Sequence, residues 1–225
     1  MTLLRLVLPL LLLGCALARA DTDIDVTVMP VFPAGLDYED IRTGDADVAI
    51  EVDSTGKLAD CLVTACTRKQ FGEEALRAVR QWKYQAGPVG GQRSGWVRHI
   101  SVHFETTGIK VVSVSPFKPV ILGLLVERED ATLYRAYSPK ELDRIPPFTH
   151  FVAPQGPHAG VVTVEFYVDE TGAVRLPAVH HPTDPDLESA ALEAVSQWHF
   201  APPLRKNAPV LLKVTQDLRF VDKKT

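Results

Sequence analysis

The sequence predicts an α+β protein made of two tandem ββαβ domains, each a three-stranded antiparallel sheet covered by one helix. Three observations support this. First, residues 48–104 match residues 164–220 without a gap at a shift of 116 residues, with 14 of 57 positions identical, whereas ordinary composition gives roughly three or four. Second, apolar residues in each copy alternate along strands and then recur at helical spacing. Third, 225 residues accommodate two small domains and little else.

The first twenty residues have the features of a cleavable export signal. Arg5 precedes the aliphatic run Leu6–Leu13, and Ala18-Arg19-Ala20 has the small-x-small pattern of a cleavage site. We predict export to the periplasm with cleavage after Ala20. Two alternatives stay open: an uncleaved membrane anchor, and a lipoprotein that carries its lipid on Cys15, since Leu12-Leu13-Gly14-Cys15 resembles a lipobox.

Charge argues against a nucleic-acid partner. Without its signal the chain has 22 basic and 28 acidic residues, and it contains no run rich in lysine or arginine. Attraction to a phosphate backbone requires the opposite sign.

The first repeat begins with an extended lead-in at Pro30-Val31-Phe32-Pro33. The alternating segment Asp47–Asp53 predicts a strand with one buried side, and Ser54-Thr55-Gly56-Lys57 predicts a hairpin turn into a second strand, Leu58–Val63. Thr67-x-x-Gln70 has the spacing of a helix capping box. An amphipathic helix is expected next, from the stripe Phe71, Ala75, Leu76, Val79 and Trp82.

The first repeat closes with the strand Trp96–Phe104. Its predicted inward residues are Trp96, Ile100, Val102 and Phe104, and its predicted outward residues are Val97, His99, Ser101 and His103.

The second repeat gives each signal in different residues. Val164, Phe166 and Val168 predict the first strand, and Asp169-Glu170-Thr171-Gly172 predicts the turn. Asp184-Pro185 predicts a helix N-cap followed by proline at the first helical position. The apolar stripe of that helix is Leu187, Ala191, Leu192, Val195 and Trp198, and Val210–Phe220 is the predicted closing strand.

These signals divide the chain into a signal peptide (residues 1–20), a first domain (21–104), a connecting segment (105–145) and a second domain (146–225). In the connecting segment, Ile109–Ser115 and Val120–Glu127 are typical of strands, and Ser138-Pro139-Lys140-Glu141-Leu142 favours a short helix. The segment is apolar, so we expect it to pack on the domains.

Both repeats resemble the C-terminal domain of TonB, the periplasmic energy-transducing protein. The resemblance rests on the order Pro-x-Phe-Pro, alternating strand, Val-Asp-x-x-Gly, a helix with Ala-Leu-x-Ala-Val-x-x-Trp-x-Tyr/Phe, and a strand closing on Phe104 or Phe220. It covers most of residues 29–104 and 146–220. The chain departs from TonB in its cleavable N-terminus and in having no proline-rich spacer at residues 21–29.

The resemblance implies a non-enzymatic domain without a cofactor that recognises a partner segment by adding it as a strand beside its own last strand. The implied partners are an envelope protein or peptide segment, with a TonB-dependent outer-membrane transporter as one example. Two alternatives stay open: a structural scaffold or homodimer whose edge strands pair with each other, and, as a minor one, a hydrolase of unrecognised type.

Residue types that bind metals or ligands in other proteins have structural interpretations in this sequence. His180-His181 diverge on an extended chain, and His99 and His103 flank Ser101 on a polar strand face, so we expect no metal site. Trp82 and Trp198 fall on the buried helical stripes and are predicted core residues. The sequence has no nucleophile elbow, phosphate loop, dinucleotide fingerprint or zinc-type cysteine quartet.

Cys61 and Cys66 are predicted to form a disulfide, because an even number of cysteines in an exported chain favours pairing. Residues five apart on a straight strand have Cα atoms some 17 Å apart, so the bond requires the chain to turn between them. Two free or buried thiols are the alternative.

The predicted partner-binding edge is that of the first closing strand, at Val97, His99, Ser101 and His103. Lys213, Asp217 and Arg219 place charges on the second closing strand, which is typical of a protected edge, whereas the first has weaker charge protection. The alternative is that Ile109–Ser115, which follows at hairpin distance, covers this first edge.

Overall fold

The first repeat forms a five-stranded sheet with one helix on one face. The structure, a computed structural model, describes residues 24–89, 92–106, 108–115, 134–180 and 184–221. All neighbouring strands of this sheet are antiparallel, in the spatial order β4-β3-β1-β2-β5. Its elements are Thr43–Val52 (β1), Leu58–Cys66 (β2), Lys69–Val79 (α1), Trp96–Glu105 (β3), Gly108–Ser115 (β4) and Tyr134–Arg135 (β5).

The second repeat forms a three-stranded antiparallel sheet in the order β7-β6-β8, also with one helix. Its elements are Gly160–Val168 (β6), Val174–Val179 (β7), Pro185–Ser196 (α2) and Leu212–Phe220 (β8). The predicted α+β class and the two tandem ββαβ units are confirmed. Within the described ranges, neither helix has the length and apolarity that a membrane span requires.

The two hairpin turns are built alike and confirm the repeated Asp-x-Thr-Gly signal. The Asp53 side chain accepts a hydrogen bond from the Thr55 N–H at 2.7 Å, and the Gly56 N–H donates to the Asp53 carbonyl at 3.0 Å. The Gly172 N–H donates in the same way to the Asp169 carbonyl at 2.9 Å. Both glycines have positive φ, 85° and 94°, a conformation that glycine adopts without steric cost.

The two helices begin differently. Asp184 caps α2 as predicted, accepting hydrogen bonds from the N–H groups of Asp186 and Leu187 at 3.0 and 3.2 Å. The predicted capping box at Thr67 is wrong: the N-cap of α1 is Arg68, which makes no side-chain cap bond. The Thr67 hydroxyl instead accepts a hydrogen bond from the Asp45 N–H at 3.0 Å, so it anchors the helix start to β1.

Each helix covers one face of its own sheet, and the predicted apolar stripes form the two cores. The first core contains Phe71, Val79 and Trp82 against the apolar residues of β1 and β3. The second contains Val195 and Trp198 against the apolar residues of β6 and β8.

The other faces of the two sheets pack against each other, so four layers result: α1, first sheet, second sheet, α2. The apolar centre of this contact contains Ala49 from the first sheet, Tyr167 from β6, Leu176 from β7 and Leu211. In the central part of the sheets, each repeat therefore covers the face of the other that lies opposite the helix.

A short ribbon leads into each repeat and pairs with the segment after the helix. Ile24–Asp25 pairs with Lys83–Tyr84, and Phe148–His150 pairs with His199–Phe200. The closing strand β8 begins two residues later than the predicted Val210.

The described parts of the connecting segment contact both repeats. Gly108–Ser115 pairs with β3 and Tyr134–Arg135 pairs with the end of β2. Ser138 caps a single 3-10 turn, Pro139–Glu141, through a capping box, where the sequence favours a short helix. The predicted strand Val120–Glu127, the signal peptide and Cys15 lie outside the described residues.

Candidate functional site

The predicted binding edge on the first closing strand is occupied by another strand of the chain. β4 pairs with β3 from Gly108, opposite Glu105, to Ser115, opposite His99. The other side of β3 pairs with β1 along its whole length. The edge around Ser101 and His103 is therefore closed, because the following segment returns as a hairpin. The structure therefore has the alternative arrangement, in which Ile109–Ser115 covers this edge.

The residues of that predicted site instead form polar contacts within the first sheet. Ser101 is buried, and its hydroxyl donates a hydrogen bond to Asp47 at 2.6 Å. His103 is part-buried, with Nδ1 2.7 Å from Asp45 Oδ1 and Nε2 3.2 Å from Glu105 Oε1.

His99 and Val97 line a small groove between the two sheets. The groove is partly open to solvent, and its walls include Tyr167 and His180 from the second sheet. The Tyr167 ring is buried, its centroid is 6.3 Å from that of His99, and burial raises the pKa of its phenol. In the part of the chain that the structure describes, no three His, Cys, Asp or Glu side chains converge as metal ligands. His181 of the predicted diverging pair is outside that part.

Two polar contacts tie the repeats together at the rim of this interface. The Arg175 guanidinium donates to both carboxylate oxygens of Asp60, with Nε 2.7 Å from Oδ2, and also lies 3.4 Å from Asp169. The hydrogen bonds to Asp60 raise the pKa of Arg175. The Tyr134 hydroxyl donates to Glu170 at 2.7 Å. A bidentate arginine–carboxylate pair fixes orientation as well as contact, so the repeats have a defined relative position.

Cys61 and Cys66 are free thiols, so the predicted disulfide is absent. Both lie on β2, which continues without a turn as far as Cys66. A strand of this length holds residues five apart at some 17 Å, beyond the span of a disulfide. Burial raises the pKa of the Cys66 thiol to about 11.

Within the described part of the chain, the outer edge of β8 is an exposed hydrogen-bonding edge on the second repeat, whereas the sequence predicts one on the first. β6 pairs with one side of β8 from Leu212 to Phe220. The Lys213 N–H points to the other side, where it donates to the Tyr137 carbonyl at 2.8 Å. Backbone groups on an antiparallel strand alternate in direction, so the N–H groups of Thr215, Asp217 and Arg219 also point outward. No described strand pairs with them.

Two of the three charges on β8, those of Lys213 and Asp217, make contacts away from this edge. Lys213 Nζ lies 2.9 Å from Glu165 Oε1, and the Thr163 hydroxyl donates to Asp217 at 2.7 Å. Both contacts run across the sheet face to β6, on the side away from the outer edge. The sequence does not predict these contacts. A charged residue on an alternating strand gives the same sequence pattern whether or not it pairs with a residue on the neighbouring strand.

One family model matches the chain, that of the Gram-negative bacterial TonB protein C-terminal, over residues 30–106 and 154–221. The chain belongs to the TonB C-terminal family. The two matched segments correspond to the two repeats. Residues 107–153, which include most of the connecting segment, lie outside both. Neither a curated protein nor a solved structure gives a significant match.

Proposed function

We propose that this TonB-family protein is a periplasmic binding or adaptor module that captures an extended segment of an envelope protein or peptide as an added strand on the outer edge of β8. The observation that carries the proposal is the row of outward N–H groups at Thr215, Asp217 and Arg219, which no described strand occupies. An exposed row of this kind is the template used in strand addition, in which main-chain hydrogen bonds supply affinity.

The difference between the repeats supports assignment of this role to the second one. The closing strand of the first repeat is already paired on both sides, by β1 and β4. Along the closing strand of the second repeat, no described strand pairs with the outer side from Thr215 onward, and Thr215, Asp217 and Arg219 are all exposed. In this proposal the first repeat is the platform and the second is the binding module.

The test is capture of envelope segments by wild-type protein and by a Thr215→Pro variant. Proline removes the outward N–H of Thr215, and edge strands tolerate proline where the N–H faces solvent. We expect Thr215→Pro to lose at least about tenfold in capture from an outer-membrane extract while its circular dichroism spectrum stays native. Thr215→Val is the matched control, because it keeps both the N–H and the strand propensity. Equal capture by the wild type and a folded Thr215→Pro variant would contradict the proposal.

The scaffold alternative uses the same edge for a second copy of the chain. It predicts a dimer by native mass spectrometry that Thr215→Pro converts to a monomer, and no segment captured from the extract. A monomeric wild-type protein excludes it.

A further inference from the structure

We propose that the connector, residues 134–143, is a fixed stop at one end of the β8 edge, and that it restricts the site to short extended segments of about six residues. The restriction on the captured segment rests on the function proposed above, whereas the stop itself does not.

The stop consists of one connector residue that already pairs with β8. The Tyr137 N–H donates to the Leu211 carbonyl and the Lys213 N–H donates to the Tyr137 carbonyl, both at 2.8 Å. This is a parallel bridge between Tyr137 and Leu212. The connector therefore occupies the first outward donor and acceptor of the edge.

The connector cannot continue along β8 because of its own sequence. The next parallel bond requires an N–H at residue 139, and Pro139 has none. Ser138 instead starts the 3-10 turn, in which the Glu141 carboxylate accepts hydrogen bonds from the Ser138 N–H and hydroxyl, both at 2.9 Å. The chain leaves the edge after a single bridge, and the outward groups from Thr215 onward stay uncovered by it.

Side-chain contacts hold Tyr137 in place. Two guanidinium groups lie over its ring, with Arg135 Cζ 4.3 Å and Arg205 Cζ 4.7 Å from the ring centroid. Each such contact is a cation–π interaction. Arg135 is also fixed by an ion pair with Glu141.

The first sheet anchors the same segment from the other side. The Ala136 N–H donates to the Thr64 carbonyl at 2.8 Å, and Tyr134 and Arg135 pair with Cys66 and Ala65. A segment that displaced Tyr137 would thus have to pull the connector away from both sheets. Because the connector lies outside the segments matched by the family, the stop is a feature of this chain rather than of the family domain.

The length of β8 beyond the bridge to Tyr137 determines how long a bound segment can be. Thr215 to Phe220 spans six residues of β8, about 20 Å at strand spacing. A parallel segment has to begin beside Ser138, and an antiparallel segment has to end there. Residues beyond about six find no further backbone partner on β8.

The first test measures the stop without a ligand, by amide hydrogen exchange on the full mature chain. We expect the Lys213 amide of the wild type to exchange at least about 100-fold more slowly than the Thr215 amide. Tyr137→Gly, which removes the ring that both guanidiniums contact, is expected to abolish this difference. Tyr137→Phe, the matched control, keeps the ring and is expected to keep it. Exchange of the Lys213 amide as fast as that of Thr215 in the wild type overturns the proposal.

The second test measures the length limit with synthetic Thr-Val repeat peptides of four to twelve residues, each carrying a terminal lysine pair for solubility. Affinity for the wild type and for Tyr137→Phe is expected to level off at about six residues, and to rise further to about eight for Tyr137→Gly. Affinity that keeps rising past six residues in the wild type overturns the length restriction. If no peptide binds any variant and Thr215→Pro captures as much from the extract as the wild type, the proposed function fails, and the exchange measurement alone decides the stop.

Discussion

At the scale of single residues, the two helix-end tryptophans have two functions each. Both are buried in the core between helix and sheet. Both also donate an indole N–H to a lead-in carbonyl, Trp82 to Val28 at 2.6 Å and Trp198 to Val152 at 2.7 Å. The helical spacing predicts the burial. It does not predict the hydrogen bonds, because Val28 and Val152 are not related by the repeat shift of 116 residues and each lead-in approaches its tryptophan by a different path.

The two functions of Trp198 are separable by substitution. Trp198→Ala is expected to lower the free energy of unfolding by about 3–5 kcal/mol, because it removes a ring that contacts Phe151 and Phe166 and leaves a cavity. Urea denaturation measures this loss. Trp198→Phe retains much of the ring and is expected to lose less. A Trp198→Ala variant that lost peptide capture at an unchanged melting temperature would show that this residue contacts the ligand.

The two free cysteines are expected to differ in reactivity. Cys66 is buried and its pKa is raised to about 11 by burial, so at pH 8 roughly one molecule in a thousand carries the reactive thiolate. Cys61 is only part-buried. Iodoacetamide at pH 8 is expected to label Cys61 of the folded, unreduced protein first, and Cys66 only on unfolding. Failure to label either thiol before reduction would indicate that Cys61 and Cys66 form the predicted disulfide.

At the scale of elements, the N-terminus of α2 is capped by a side chain, whereas that of α1 is not. Asp184→Ala removes the side-chain cap of α2 and is expected to cost about 1 kcal/mol in unfolding free energy, whereas Asp184→Asn keeps an acceptor and is expected to cost less. Chemical denaturation measures both. A loss no larger for alanine than for asparagine would mean that α2 does not depend on this cap.

Strand pairing beyond the hairpins is the part of the fold that local sequence does not specify. Alternating apolar residues predicted the strand Ile109–Ser115, and hairpin distance allowed it to cover β3 without requiring it. Tyr134–Arg135 pairs with β2 although a two-residue strand is too short to show alternation. For the same reason the sequence does not show that β4 pairs with the first closing strand, since that pairing depends on where the connecting segment packs.

At the scale of the whole molecule, the two repeats are expected to unfold as one unit, because their sheets share a buried interface. Arg175→Ala leaves Asp60 without its guanidinium partner at the rim of that interface. We expect a loss of about 1–3 kcal/mol in unfolding free energy. Thermal unfolding by calorimetry measures it. The Asp60→Ala/Arg175→Ala double variant is the control, and it is expected to lose less than the sum of the two single variants. Additive losses would show that the pair contributes nothing.

The interface between the sheets joins two unlike surfaces, although the repeats that supply them are related. The repeat shift places Ala59 of the first copy where Arg175 stands in the second, and Leu176 where Asp60 stands in the first. Two first halves brought face to face would therefore bury Asp60 with no guanidinium to receive it, and two second halves would leave Arg175 without its carboxylate. The ion pair thus favours the pairing of unlike halves. Exchange of halves between neighbouring molecules would keep it, whereas an interface between two like halves would lack it.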